Sequence, residues 1–194
     1  MVKKIASSIF VALILALLSA PALLYFGKKN PKYFGGIKIG SWYYSNATGS
    51  NNSNAYIKAV INITGVLALN KSETVYLVAT EDSEGNPLNT NNTYKIEGKD
   101  DFKTRWWSLT AYQNSFLIKN KVNQYSLSKT TVKKDVNSNF SIFASPNKQD
   151  TNWIPTGEKS GSFDLLLRFY NPTDALIKSI ENSTVKIPII TKIN

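Results

Sequence analysis

The sequence contains no cysteine and no histidine. Their absence excludes a disulfide framework, a Cys or His zinc site, a thiolate nucleophile and any histidine-based triad. It leaves the redox compartment open, because a thiol-free chain is at home on either side of a membrane. Acidic groups are scarce as well: 13 Asp and Glu stand against 23 Lys and Arg, a net charge of +10. Arginine is almost missing, with Arg105 and Arg168 the two present. The lysines are spread along the chain, and the one dense group is Lys28, Lys29, Lys32 and Lys38. Nucleic-acid binding requires a basic stripe interleaved with exposed aromatics, which this pattern lacks, so no nucleic-acid partner is expected. Lysines beside an apolar segment suit an anionic lipid surface instead.

That apolar segment is residues 5–26, twenty-two positions without a charge and with three serines. At about 1.5 Å per residue it makes roughly 33 Å of helix, enough for a hydrocarbon core of about 30 Å. Lys3 and Lys4 flank one end and Lys28 and Lys29 the other, with Tyr25 and Phe26 at interfacial depth. Pro21 falls in the last third, where a kink is tolerated. A cleaved signal peptide competes with this reading: residues 9–18 resemble its apolar region and Ala20-Pro21-Ala22 a small-x-small cleavage site. The prolongation through Leu23-Leu24-Tyr25-Phe26 favours a retained single-pass anchor. The expected organisation is an anchor or signal peptide at 1–28, a juxtamembrane linker at 29–40, and a folded domain at 41–194.

With 42% hydrophobic and 12% aromatic residues, the remainder can bury a sizeable core. Residues 45–54 are polar and of low complexity, a loop. Residues 55–69 carry apolar side chains at helical spacing, with Asn54 as N-cap and Gly65 weakening the end. From residue 74 the period changes to two. Strands are predicted at 74–80, 93–97, 105–112, 115–119, 124–127, 140–144, 163–170 and 185–191, and a turn at 82–87. In 163–170, Phe163, Leu165, Leu167 and Phe169 share one face, and Asp164, Leu166, Arg168 and Tyr170 the other. Many short strands between turn signals predict a mainly β fold, an antiparallel jelly-roll-like β-sandwich with one or two helices.

Three motifs stand out: Arg105-Trp106-Trp107-Ser108-Leu109-Thr110-Ala111-Tyr112, Asn152-Trp153-Ile154-Pro155, and Leu165-Leu166-Leu167-Arg168-Phe169-Tyr170-Asn171-Pro172. In this order and at these distances they resemble the bacterial domain-of-unknown-function family 1214 (DUF1214). The similarity extends upstream through Gly40-Ser41-Trp42, residues 56–65, 73–76 and 79–88, and covers about residues 38–192. The resemblance implies a β-sandwich in the family's short, membrane-anchored form, without the second upstream domain of its larger members. The expected place is the bacterial inner membrane with the soluble domain toward the periplasm; lysines on both sides of the segment barely discriminate, and a folded domain of this size can translocate regardless of them. The resemblance implies no activity, because none is established for the family. One departure is the tail, where residues 187–194 lack the cysteine that family members often carry.

Seven residues are candidates for ligand contact: Arg105, Trp107, Tyr112, Asn152, Trp153, Arg168 and Tyr170. A guanidinium on a strand's polar face offers a planar fork for a carboxylate or phosphate. Indole and phenol rings offer flat surfaces to a sugar or organic acid. Against this, Trp107 shares a face with Leu109 and Ala111 and reads equally as core, and Trp153 is large enough to be buried. Asn152 reads first as the residue fixing a loop before Pro155. Glu81, Asp82 and Glu84 around Gly85 lack the spacing of a calcium loop and read as a turn with solvated carboxylates. No metal and no cofactor is expected. The leading expectation is a membrane-anchored cell-envelope module that binds a small anionic or sugar-like ligand or a protein partner. The alternative is a hydrolase or lyase using carboxylates such as Glu73 and Asp164 with arginine, although nothing singles out such a pair.

Overall fold

Hydropathy places the first element. In the computed structural model, which describes residues 2–29, 36–50, 52–63, 68–157 and 159–193, helix α1 runs over Val2–Lys29. Its stretch Lys4–Phe26 has a mean hydropathy of 2.5 and no buried residue. It is long and apolar enough to cross a membrane, and a signal sequence has the same properties. Lys32 and the rest of residues 30–35 lie outside the described residues.

Strands β1 (Gly36–Ile39) and β2 (Trp42–Ser45) form a hairpin about Gly40, whose φ of +56° suits glycine in a tight two-residue turn. The sheet therefore begins at Gly36, inside the stretch expected to be linker. Glycine and lysine in that stretch hid a short alternation in which Ile37 packs against the core and Ile39 is part of it. Helix α2 (Ala55–Ile63) follows, with the Asn54 side chain accepting from the Ile57 amide at 2.9 Å as its predicted cap. Of the predicted continuation to residue 69, positions 64–67 lie outside the described residues and 68–69 are not helical.

The remaining elements are β3 (Thr74–Ala79), β4 (Tyr94–Lys99), β5 (Thr104–Gln113), β6 (Phe116–Leu117), β7 (Ser126–Ser128), β8 (Asn139–Ser145), β9 (Trp153–Pro155), β10 (Asp164–Pro172), α3 (Asp174–Glu181) and β11 (Ile189–Lys192). The fold is mainly β, as predicted. The larger sheet runs β1-β2-β3-β10-β5-β6, with β7 also paired to β5, and the smaller runs β11-β4-β8-β9. Pairing is antiparallel except between β8 and β9, which run parallel. Strand β9 occupies the segment expected to be a loop. It is three residues long and ends in Pro155, which an edge strand tolerates. Helix α3 was not foreseen: Thr173 caps it by accepting from the Leu176 amide, and Leu176 and Ile180 are its buried pair.

The inner faces of the two sheets share one core. From the larger come Trp42, Leu77, Trp107, Leu109, Leu165, Leu167 and Phe169, and from the smaller Tyr94, Ile96, Ile142 and Ile154. Trp107 of β5 meets Phe140 of β8 with ring centroids 5.1 Å apart. Each such ring removes on the order of 150–250 Å² from water, about 4–6 kcal/mol before the entropy of ordering. The Trp42 indole N–H donates to the Pro188 carbonyl at 2.7 Å, tying β2 to the segment entering β11.

Candidate functional site

Strand β10 lies in the middle of the larger sheet, between β3 and β5. Its alternation is the predicted one: Leu165, Leu167 and Phe169 turn into the core. That sets Asp164, Leu166, Arg168 and Tyr170 on the outer face. Register then fixes their neighbours. Asp164 pairs with Tyr112, Leu166 with Thr110, Arg168 with Ser108 and Tyr170 with Trp106 on β5. On β3, Arg168 pairs with Tyr76 and Tyr170 with Thr74. Ser126 and Ser128 of β7 extend the rows of Thr110 and Ser108.

Arg168 reaches along this face to Tyr112. A guanidinium nitrogen donates to the Tyr112 hydroxyl at 2.8 Å, and the guanidinium carbon lies 5.5 Å from the ring centroid. The contact bridges the row of Leu166 and Thr110, which accounts for their 4% exposure. Arg168 itself stays half-buried. One row beyond, the Trp106 and Tyr170 rings pack at 5.1 Å. Small hydroxyl residues lie beneath, Ser108 in the row of Arg168 and Thr110 under its contact with Tyr112, each 4% exposed. Among the described residues the hydrogen-bonded partner of the Arg168 guanidinium is a neutral hydroxyl. A planar cation so placed can take the oxygens of an anionic or polyhydroxylated ligand.

Of the seven sequence-predicted residues, the fold gathers three here: Tyr112, Arg168 and Tyr170. Trp107 is on the opposite, inner face at 0% exposure, where its indole N–H donates to Asp100 at 2.7 Å. Arg105 alternates with Trp106 and so falls on the side of Trp107, exposed at the strand's start. Asn152 and Trp153 belong to the smaller sheet. The Asn152 amide donates to the Lys133 and Ser141 carbonyls at 2.8 and 3.0 Å and accepts from the Lys133 amide at 2.7 Å, which occupies both of its donors. The Trp153 indole donates to the Ser145 carbonyl at 2.9 Å. The sequence reading did not select Trp106, Ser108 and Thr110. The signal that finds them is the alternation of β5 itself, once its inner set is fixed by Trp107, Leu109 and Ala111.

The turn at 82–87 is present, with a correction. Asp82 is not solvated but 2% exposed, and one carboxylate oxygen accepts from the Glu84 and Asn86 amides, both at 2.9 Å. A separate groove of about 550 Å³ lies on the smaller sheet, lined by Glu97, Lys99, Asp101, Asn139, Ser141 and Lys186 among others. It contains none of the seven predicted residues, and of its lining Glu97 pairs with Lys95 at 2.7 Å. At the edge near α3, Lys71 donates to Glu181 at 2.5 Å beside the buried Tyr44 ring. Burial pushes the Tyr44 phenol above its usual range. Burial also works to lower Lys71, but the Glu181 bond and the nearness of Tyr44 outweigh it and hold the ammonium above its ordinary value.

A family model described as a protein of unknown function, DUF1214, matches residues 73–174. That span contains β3 through β10 and all seven predicted residues, and it excludes α1 and α2. Among solved structures, the VPA0106 protein of Vibrio parahaemolyticus superposes with a TM-score of 0.58 at 25% identity, over 74% of this chain and 36% of that one. An uncharacterized protein from Burkholderia cenocepacia matches with a TM-score of 0.40 at 14% identity, over 62% of this chain and 29% of that one. The chain thus spans little more than a third of the first and less than a third of the second. No curated protein matches it.

Proposed function

The chain belongs to the DUF1214 family of proteins of unknown function, and on that footing we propose that its β-sandwich is a ligand-recognition module held at a membrane by α1. The ligand is a small anionic or sugar-like molecule seated on the outer face of the larger sheet. One observation carries this reading: Arg168, central in the sheet and half-buried, bonds a neutral tyrosine hydroxyl at 2.8 Å over a floor of serine and threonine. A guanidinium in such a place has donors to spare for a carboxylate or a pair of hydroxyls. Tyr170 and Trp106 give a ring surface on the same face, suited to the flat side of a sugar.

The apolar α1 supports a retained anchor, and the reading places that anchor in the bacterial inner membrane with the sandwich on the periplasmic side. Trp106 is the reporter for the site. A ligand seated beside Arg168 changes the Trp106 emission, and the change disappears in Trp106→Phe. Arg168→Ala abolishes the binding curve while the fold is kept. Titration of organic acids and sugars against the full chain in nanodiscs tests this. A saturable signal that survives Arg168→Ala would place the ligand elsewhere.

A further inference from the structure

Among its described residues, helix α2 adds none to the core between the sheets. The helix it packs on is α1, and its buried side chain, Val60 at 4% exposure, is outside the cluster that fills the space between the sheets. Leu24 is the one described side chain of α1 drawn out of full exposure. Next to it, the Tyr56 hydroxyl donates to the Leu23 carbonyl at 2.6 Å.

Leu23 lies three residues inside the end of the apolar stretch Lys4–Phe26, about 4.5 Å at the α-helical rise. A bilayer crossed by α1 therefore has Tyr56 at its hydrocarbon–headgroup boundary, where tyrosine is enriched. The sequence of α2 fits that depth. At 100° per residue, Ala55, Tyr56, Ile57, Ala59, Val60 and Ile61 cover about two thirds of the circumference, leaving a strip of Lys58 and Asn62. Val60 alone of these is buried; Tyr56 is exposed and Ile57 and Ile61 are half-buried.

We propose that α2 is an interfacial helix. It lies in the headgroup layer of the membrane that α1 crosses, with Ile57 and Ile61 toward the acyl chains, Tyr56 bonded to α1 and Lys58 at the level of the lipid phosphates. The contact sets how the sandwich stands on the lipid surface. The inference rests on the reading of α1 as a retained span.

The cysteine-free sequence makes the test clean, because a single introduced cysteine is the sole thiol. Nitroxide labels at Ile57→Cys, Ile61→Cys, Asn62→Cys and Leu15→Cys are compared in the full chain, reconstituted in phosphatidylethanolamine and phosphatidylglycerol vesicles. The contrast measured is collision with oxygen against collision with a water-soluble nickel complex. Oxygen is expected to dominate several-fold at positions 57, 61 and 15, and the nickel complex at 62. Tryptophan emission verifies the sandwich, to whose core α2 contributes no described residue. A lipid signal at 15 with water signals at 57 and 61 overturns the interfacial helix and leaves the anchor standing. A water signal at 15 overturns both.

Discussion

The Trp107 indole and the Asp100 carboxylate meet at 2.7 Å, and the second oxygen of Asp100 takes the Lys134 ammonium at 2.6 Å. The carboxylate is 5% exposed. Burying a charge costs several kcal/mol unless it is bonded, and here both oxygens are. The tryptophan of the Trp-Trp-Ser motif is thus a core anchor.

Removing that carboxylate strands a buried indole N–H and leaves the Lys134 ammonium with the Lys129 carbonyl, 3.1 Å away. Asp100→Ala is expected to lower stability by about 2–4 kcal/mol and Asp100→Asn by roughly half as much, since an amide oxygen still accepts. Urea denaturation followed by tryptophan emission measures it. A change within noise for Asp100→Ala would mean that Trp107 is held by packing alone.

Asn152 tests a structural role in the same way. Its φ of +45° is a left-handed conformation, and its side chain clips residue 133 to β8. Asn152→Ala loses the bonds and adds backbone strain; Asn152→Gly loses the bonds alone. The glycine variant is expected to be more stable than the alanine variant by about 1 kcal/mol. The reverse order in denaturation midpoints would contradict the backbone strain at this position, and a glycine variant as stable as the native chain would contradict the clip.

Gly98 has room for no side chain. A Cβ there would stand 2.7 Å from the Phe140 ring and 3.1 Å from Pro188. Gly98→Ala is expected to cost about 1–3 kcal/mol through overpacking. The same denaturation assay reads it, and a stabilised variant would show that the ring yields without loss.

The Tyr44–Lys71–Glu181 edge predicts an alkaline weakness. Both Tyr44 and Lys71 hold their protons more tightly in the folded chain than at their ordinary values of 10.0 and 10.5. Where the folded state binds more protons, stability falls as pH rises. The contribution is complete below about pH 10 and is lost as pH rises through the folded values. Thermal melts across that range are expected to show a shallower decline for Tyr44→Phe than for the native chain. Parallel curves would contradict the assignment.

Alternation made most of the fold legible. The inward set of β10 follows from a period of two, and every long strand was found that way. Where elements are short, the signal fails. Strand β9 has three residues and a proline, β1 hides in a glycine- and lysine-bearing stretch, and α3 presents only two buried positions. The site was half legible for a different reason. Arg105 and Arg168 look alike in composition; alternation alone puts Arg105 on the side of Trp107, but which side chains stand beside Arg168 depends on the register between β5 and β10. Asn152 and Trp153 are polar or aromatic in composition, yet backbone carbonyls of the smaller sheet use their hydrogen-bonding groups.

The central claim is that Arg168 is the ligand-binding group of the sandwich. A thermal-shift screen of the full chain against organic acids, sugars and nucleotides, run beside Arg168→Ala, tests it most directly. A ligand at a hundred times its dissociation constant adds about 2.7 kcal/mol, a rise of roughly 5–10 °C in a domain of this size. The account predicts such a rise for an anionic or hydroxyl-rich compound in the native chain and none in Arg168→Ala. A flat screen, or a rise that persists in the variant, would contradict it.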